Sequence, residues 1–234
     1  MEWTLVTGGS KGLGAAICHC LAKNHALLIH YNTSKREALE LQKELQAQGA
    51  QVEVIQGGLS TLQEVEEFIQ RCTQEFSIKN LVNNVGRYVI TKALDITPTE
   101  QYDLFQSNVH TPFLLARGFL SSIQETRGRI INIGTSGINA LRINTHAPVY
   151  YASKAALFTL TKALAKELAS IGVCVNMVSP GVLETSVDVD DISQFPMKRP
   201  GIVDEVARVV GFLLEPESSY ITGQNIEVAG GMGL

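Results

Sequence analysis

Short apolar runs alternate with longer stretches in which apolar positions recur at helical spacing, and this rhythm persists along the 234 residues. The short runs read as strands at Thr4–Thr7, Ala26–Tyr31, Val52–Gln56, Asn80–Asn83, Arg129–Ile133, Val173–Val178 and Asn225–Val228. Between them, Ser34–Gln48 puts Ala38, Leu41 and Leu45 on one helical face. Tyr150–Ser170, rich in Ala, Leu and Lys, predicts a second, longer helix. Seven strands separated by helices predict a parallel sheet covered on both faces. Right-handed crossovers then make it an α/β fold, a single-domain, Rossmann-type doubly wound sheet spanning residues 1–234. Such sheets bind ligands beyond the carboxyl ends of their strands, where the strand order reverses. One stretch breaks the rhythm: 183–201 carries Glu184, Asp188, Asp190, Asp191, Pro196 and Pro200 without a period. A connection this long in a compact domain is expected to serve as a flexible lid over a substrate.

Composition narrows the function. A net charge of -4 and the lack of basic runs interleaved with aromatics argue against a nucleic-acid partner. No apolar stretch approaches membrane-spanning length, and the first strand begins too early for a leader peptide, so no membrane partner and a cytoplasmic location are expected. Cys18, Cys20, Cys72 and Cys174 have neither the paired spacing of a metal site nor the density of a disulfide framework. They read as reduced thiols, and no metal is expected.

The segment from Trp3 to Gly14 is a strand, a glycine turn and a helix start. Gly8 suits a sharp turn, Gly12 lets backbone approach a pyrophosphate, and Gly14 lets the helix pack closely on the sheet. Ser10, Lys11 and Leu13 complete the cradle, and the helix N-terminus supplies amide donors and a positive dipole end. The cofactor indicated is a nicotinamide dinucleotide. An acid at the end of the second strand would favour NAD by accepting from both ribose hydroxyls. Instead the sequence offers Asn32, Thr33, Ser34, Lys35 and Arg36, with Lys11 in the turn, a set suited to the 2′-phosphate of NADP(H).

Tyr150 and Lys154 lie four apart at the start of the long helix, on one face. A free phenol is a poor acid or base near neutrality, and a nearby cation lowers its pKa toward the working range. Tyr151, three residues from Lys154, is a geometric rival.

Taken together, Thr7-Gly-Gly-Ser-Lys-Gly-Leu-Gly14, Asn83-Asn-Val-Gly86, Asn108, Tyr150 with Lys154, Pro180-Gly181, and Gly223-Gln-Asn with Gly230-Gly231 resemble the short-chain dehydrogenase/reductase family over nearly the full chain. The resemblance implies hydride transfer between a carbonyl and its alcohol. Tyr150 rather than Tyr151 would be the acid/base, Lys154 would lower its pKa and hold the nicotinamide ribose, and Asn108 would help hold a water in the proton relay. Asn83, Val85 and Gly86 would line the adenosine side. Pro180, Gly181 and the residues through Leu183 to Thr185 would approach the nicotinamide. Leu59 stands where an aspartate commonly meets adenine and would serve through its backbone. The hydroxyl that polarises the carbonyl falls on Thr135 by motif alignment and on Ser136 by distance from the tyrosine. A homotetramer is the assembly the family implies.

Within the family the chain is similar to the 3-oxoacyl-(acyl-carrier-protein) reductases, whose substrate is an acyl thioester, with Arg127 and Arg129 as candidate carrier contacts. Other small-molecule carbonyl substrates fit the same chemistry. A dihydropterin reductase is the alternative, suggested by the stretch His30-Tyr-Asn-Thr-Ser and by residues 108–113. Gly12 and Thr135 speak against it, since pteridine reductases place an arginine and an acid there. A non-catalytic NADP(H) sensor is a third reading, weakened by the intact Tyr150 and Lys154.

Overall fold

In the computed structural model, which describes residues 1–140, 144–187, 193 and 195–232, all seven expected strands form one parallel sheet. The strands are β1 (Glu2–Val6), β2 (Ala26–Tyr31), β3 (Val52–Gln56), β4 (Ser77–Asn83), β5 (Arg129–Ile133), β6 (Cys174–Pro180) and β7 (Asn225–Val228), in the order β3-β2-β1-β4-β5-β6-β7. The order reverses between β1 and β4, so the crevice a ligand would use opens there, at the carboxyl ends. β4 begins three residues before its expected start, pairing Ser77 with Glu2 ahead of a bulge at Trp3/Thr4.

Helices cover both faces. α1 (Gly12–Leu21), α2 (Lys35–Ala47) and α8 (Val203–Leu214) pack on one side, where Ile17, Leu41, Leu45 and Val210 meet Val6 and Ile29 of the sheet. α3 (Leu62–Glu75), α5 (Thr111–Gly118), α6 (Leu120–Glu125) and α7 (Pro148–Leu168) cover the other, around Phe68, Phe119, Leu81 and Ile130. α4 (Pro98–Phe105) runs into a π-helical turn over Gln106–His110 that leads directly to α5. The cysteines are free: Cys18, Cys72 and Cys174 are buried and Cys20 is exposed. Among the described residues no helix is long and apolar enough to cross a membrane, and no group of three or more His, Cys, Asp or Glu is placed to hold a metal.

The segment 183–201, expected as a lid, is tied at its base by a parallel bridge between Leu183 and Gly201, where Glu184 N–H donates to the Gly201 carbonyl at 2.9 Å. Its residues 188–192 and 194, including Asp188, Asp190 and Asp191, lie outside the described residues. Arg129, a candidate carrier contact, is instead buried in β5, with its guanidinium donating to the Pro216 carbonyl at 3.2 Å. It and Arg127, which is exposed, stand at the amino end of β5, opposite the crevice.

α7 begins two residues before its expected start. Asn144 Oδ1 accepts from His146 and Ala147 N–H at 2.9 and 2.8 Å, and Pro148 sits in the first turn, where its missing N–H costs nothing. A buried polar chain then fixes α7 on the sheet. Asn83 of β4 donates to Asn132 Oδ1 of β5 at 2.8 Å, Asn132 Nδ2 donates to Thr161 Oγ1 at 2.9 Å, and Thr161 donates to the Leu157 carbonyl at 2.8 Å. Because buried polar groups left unpaired cost about 1–3 kcal/mol each, Asn132→Ala is expected to destabilise the fold by roughly 2–4 kcal/mol. Urea unfolding checks this: a loss no larger than that of an exposed control such as Gln63→Ala would show that the chain does not hold α7.

Candidate active site

Three adjoining cavities share lining residues and form one groove along the carboxyl edge of the sheet. The first lies over the ends of β1 and β2 and is lined by Gly8, Ser10, Lys11, Asn32, Thr33, Ser34, Leu59, Val85 and Gly86, all expected from the sequence. Through Gly86 and Arg87 it continues into a second cavity with Leu13, Lys154, Pro180 and Leu183. Through Tyr88, Thr135, Tyr150 and Gly181 the second opens into a third, of about 300 Å³, with Ser136, Tyr151, Val182, Thr185 and Met232.

The glycine turn is shaped by close approach. A Cβ on Gly14 would collide with the Gly8 carbonyl oxygen, so only glycine lets α1 come this near the turn. At Gly12, by contrast, φ is +51° and a Cβ would meet nothing within 4 Å, which leaves an open approach to the backbone. No side chain caps α1. The amide donors of its first turn, which a helix cannot satisfy internally, are therefore available to an anion.

Asn84, given no role of its own within the Asn83–Gly86 motif, holds the turn to β4: its Nδ2 donates to the carbonyls of Thr7 at 3.0 Å and Gly8 at 3.2 Å. Thr7 Oγ1 in return accepts from the N–H groups of Asn84 and Val85 at 2.9 and 3.1 Å. The side chain of Asn83 points away from the groove, into the buried chain with Asn132.

At the second cavity, α7 presents Tyr150 and Lys154 on one face. The Lys154 ammonium lies 6.0 Å from the centre of the Tyr150 ring and donates to the Ile133 carbonyl at the end of β5, at 2.7 Å. Burial pushes the Lys154 pKa down to about 8 and the Tyr150 pKa up to about 12. The Thr135 hydroxyl beside it draws the phenol partly back toward ionisation. The proximity of Lys154 expected from the spacing is present, and one of its three N–H donors is held by the Ile133 carbonyl. Tyr88 and Tyr151 stand edge-on to Tyr150, with ring centres at 4.7 and 5.7 Å. Ser136 lines the third cavity, and its backbone N–H donates to the Pro180 carbonyl at 2.9 Å.

Asn108 is fully buried in the π-helical turn, outside the lining of the groove. It brackets the backbone of Arg87, accepting from its N–H at 2.8 Å and donating to its carbonyl at 2.9 Å, and also donates to Ser153 Oγ at 3.0 Å. Ser153 Oγ donates to the Tyr150 carbonyl at 2.7 Å. Asn108 thus joins the loop after β4 to the first turns of α7.

Lys11 stands at the rim of the first cavity, and its ammonium is paired with Glu37 of α2 at 2.9 Å. A carboxylate is therefore present near the end of β2 after all, supplied by the next helix rather than by the strand.

Residues 2–194 match the short chain dehydrogenase family. The 3-oxoacyl-(acyl-carrier-protein) reductase FabG of Vibrio cholerae is 34% identical over 238 residues, covering 97% of this chain and 96% of its own. The 3-oxoacyl-(acyl-carrier-protein) reductase of Synechocystis sp. is 34% identical over 237 residues, 97% of this chain and 95% of its own. Among solved structures, a blue fluorescent protein from a metagenomic library in complex with NADPH superposes with a TM-score of 0.91 at 30% identity, over 100% of this chain and 98% of that one. A Serratia marcescens short-chain dehydrogenase/reductase variant gives the same TM-score at 28% identity, over 100% and 98%. With this match across most of its length, the chain belongs to the short-chain dehydrogenase/reductase family of oxidoreductases.

Proposed function

We propose that this protein reduces the carbonyl of an uncharged, 3-oxoacyl-type substrate with NADPH, and that Tyr150, Thr135 and Lys154 carry the chemistry. The observation that carries the reading is that Tyr150 and Thr135 both line the second and the third cavity, side by side where the two meet. Two hydroxyls converge there on the place a carbonyl oxygen would take. The residues of the groove fit a dinucleotide: an uncapped helix start and the open approach at Gly12 suit a diphosphate, and the groove runs on from there to Tyr150. The relatives named as 3-oxoacyl reductases and the NADPH-bound structural neighbour support substrate and cofactor.

When bound, the nicotinamide supplies the hydride that reaches the carbonyl carbon. Thr135 donates a hydrogen bond to the carbonyl oxygen and polarises it. Tyr150 delivers the proton to that oxygen, a role suited to a phenol whose raised pKa keeps it protonated. Lys154 holds the ribose hydroxyls and keeps positive charge beside the phenol as the proton leaves. The third cavity has no charged lining residue among those described, which favours a neutral acyl chain over a charged head group. This also speaks against a dihydropterin substrate, for which no acid is offered.

Thr135→Ala is expected to lower kcat for reduction of a 3-oxoacyl thioester about 100-fold, the usual loss for removing an oxyanion donor, and Ser136→Ala less than about fivefold. Steady-state rates of the two variants decide between them, and the reverse order would assign the donor to Ser136. A sensor, the third reading, would bind NADPH and oxidise none of it with any carbonyl offered.

The pKa of Lys154 sets the pH dependence. Its ammonium is the working form, so kcat/KM is expected to fall with one proton lost as pH rises through about 8, while Tyr150, at about 12, stays protonated throughout. A rate that rises through the same range would show that the neutral amine is the active form.

The Lys11–Glu37 pair bears on the choice of cofactor. Glu37 competes with a 2′-phosphate for the same ammonium, and exposed pairs are worth about 0–1 kcal/mol. Glu37→Gln is therefore expected to raise the preference for NADPH over NADH by roughly two- to fivefold at low salt, with the gain fading as salt is added. An unchanged ratio of kcat/KM values would mean that Lys11 does not meet the phosphate.

A further inference from the structure

His30, the fifth residue of β2, lies beneath the glycine turn and is almost completely buried. Gly8 N–H donates to its Nδ1 at 3.0 Å, and Nε2 lies 3.0 Å from the Gly57 carbonyl at the end of β3. An amide can only donate and a carbonyl can only accept, so Nδ1 is the bare nitrogen and Nε2 carries the proton. The next amide of the turn, that of Gly9, donates to the His30 backbone carbonyl at 3.0 Å. The ring is held edge-on against Phe68 of α3, with centres 5.0 Å apart.

We infer that His30 is a positioning residue for cofactor binding: as a neutral imidazole it draws the first amide of the glycine turn inward and joins that turn to the loop after β3. The first cavity lies between these two loops, with Gly8 and Lys11 on one side and Leu59 and Ser60 on the other. Both backbone groups of Gly8 are engaged, the N–H by His30 and the carbonyl by Asn84, so the turn cannot rotate to offer this amide to the groove. The donors left for a diphosphate are those beyond Gly9, leading into α1. An aspartate in the β3 loop could pin that loop directly, but Gly57, Gly58 and Leu59 have no such side chain, and His30 supplies the tie from the neighbouring strand. Burial holds the His30 pKa down to about 4, which keeps the accepting nitrogen bare at neutral pH.

The inference rests on the NADPH reading above, and three substitutions separate it from simple packing. Asparagine places an acceptor where Nδ1 is and keeps only the Gly8 bond. Glutamine places a donor where Nε2 is and keeps only the Gly57 bond, while phenylalanine keeps the ring and neither bond. If the Gly8 bond positions the turn, calorimetry should show the NADPH Kd raised about tenfold in His30→Gln and His30→Phe and less than about threefold in His30→Asn, since only the first two leave the Gly8 amide without its buried acceptor. KM for NADPH should follow Kd. Thermal unfolding of each variant supplies the control. If Kd stays at the native value in the glutamine and phenylalanine variants, or rises in all three in proportion to lost thermal stability, the positioning role is overturned. His30→Asn and His30→Gln alone retain this discrimination should His30→Phe fail to fold. A native chain that binds no NADPH overturns the cofactor reading and this inference with it, whereas native binding with unchanged variants overturns only the role of His30.

Discussion

Seven strands running in one direction bring all their carboxyl ends to one edge, and every group in the groove depends on that constraint. Gly8 stands two residues beyond β1, Asn84 one beyond β4, Thr135 two beyond β5 and Gly181 one beyond β6. None of these residues is near the others in the chain. What brings them together is backbone pairing, which fixes the strand ends relative to one another and leaves each following loop only a few residues of freedom. Reversal of the order between β1 and β4 then opens the crevice between the glycine turn and Asn84.

Alignment of strand ends is not enough to hold two side chains of a helix against them, and the polar groups inside the fold do this second task. Asn132 reaches from β5 to Thr161 in the middle of α7, while Asn108 reaches through Ser153 to the first turns of the same helix. Both attachments are buried, where an unsatisfied partner is expensive and alternative arrangements are few. The helix is therefore fixed in rotation as well as in distance, and Tyr150 and Lys154 face the ends of β5 and β6. The π-helical turn at 106–110 belongs to this arrangement, since it carries Asn108 to the backbone of Arg87.

Much of this was legible in the chain. Four strands, β2, β3, β5 and β7, have the limits that the sequence predicts; β2 and β5 are buried almost throughout and read as near-continuous apolar segments, whereas β3 alternates with exposed Glu53 and Gln56. β4 starts earlier than its apolar run because Ser77 and Lys79 point outward and hide the alternation. The residues of the first cavity were legible because they cluster in four short segments, each just beyond a strand end: 8–11, 32–34, Leu59 and 85–86. Contacts between segments were not: the Lys11–Glu37 pair, the bond from Gly8 to His30 and the bracket of Asn108 on Arg87 join residues 21 to 26 positions apart, with no periodicity to signal them. Arg129 shows the opposite case: a charged residue that nonetheless lies buried, at the start of a strand flanked on both sides.

Burial also explains why the two central side chains are displaced in opposite directions. Desolvation penalises whichever form is charged, so the same dry environment pushes the phenol of Tyr150 up and the ammonium of Lys154 down. Spacing on a helix establishes that the two groups meet, but not which partner each one takes. Here Lys154 donates to a strand-end carbonyl, and burial of Tyr150 outweighs the pull of Thr135, so the phenol keeps its proton until something else accepts it. For the proposed reduction, in which Tyr150 would hand a proton to a newly formed alkoxide, that restraint is an advantage, because the driving force for transfer appears only when the oxygen beside Tyr150 becomes more basic than the phenol itself.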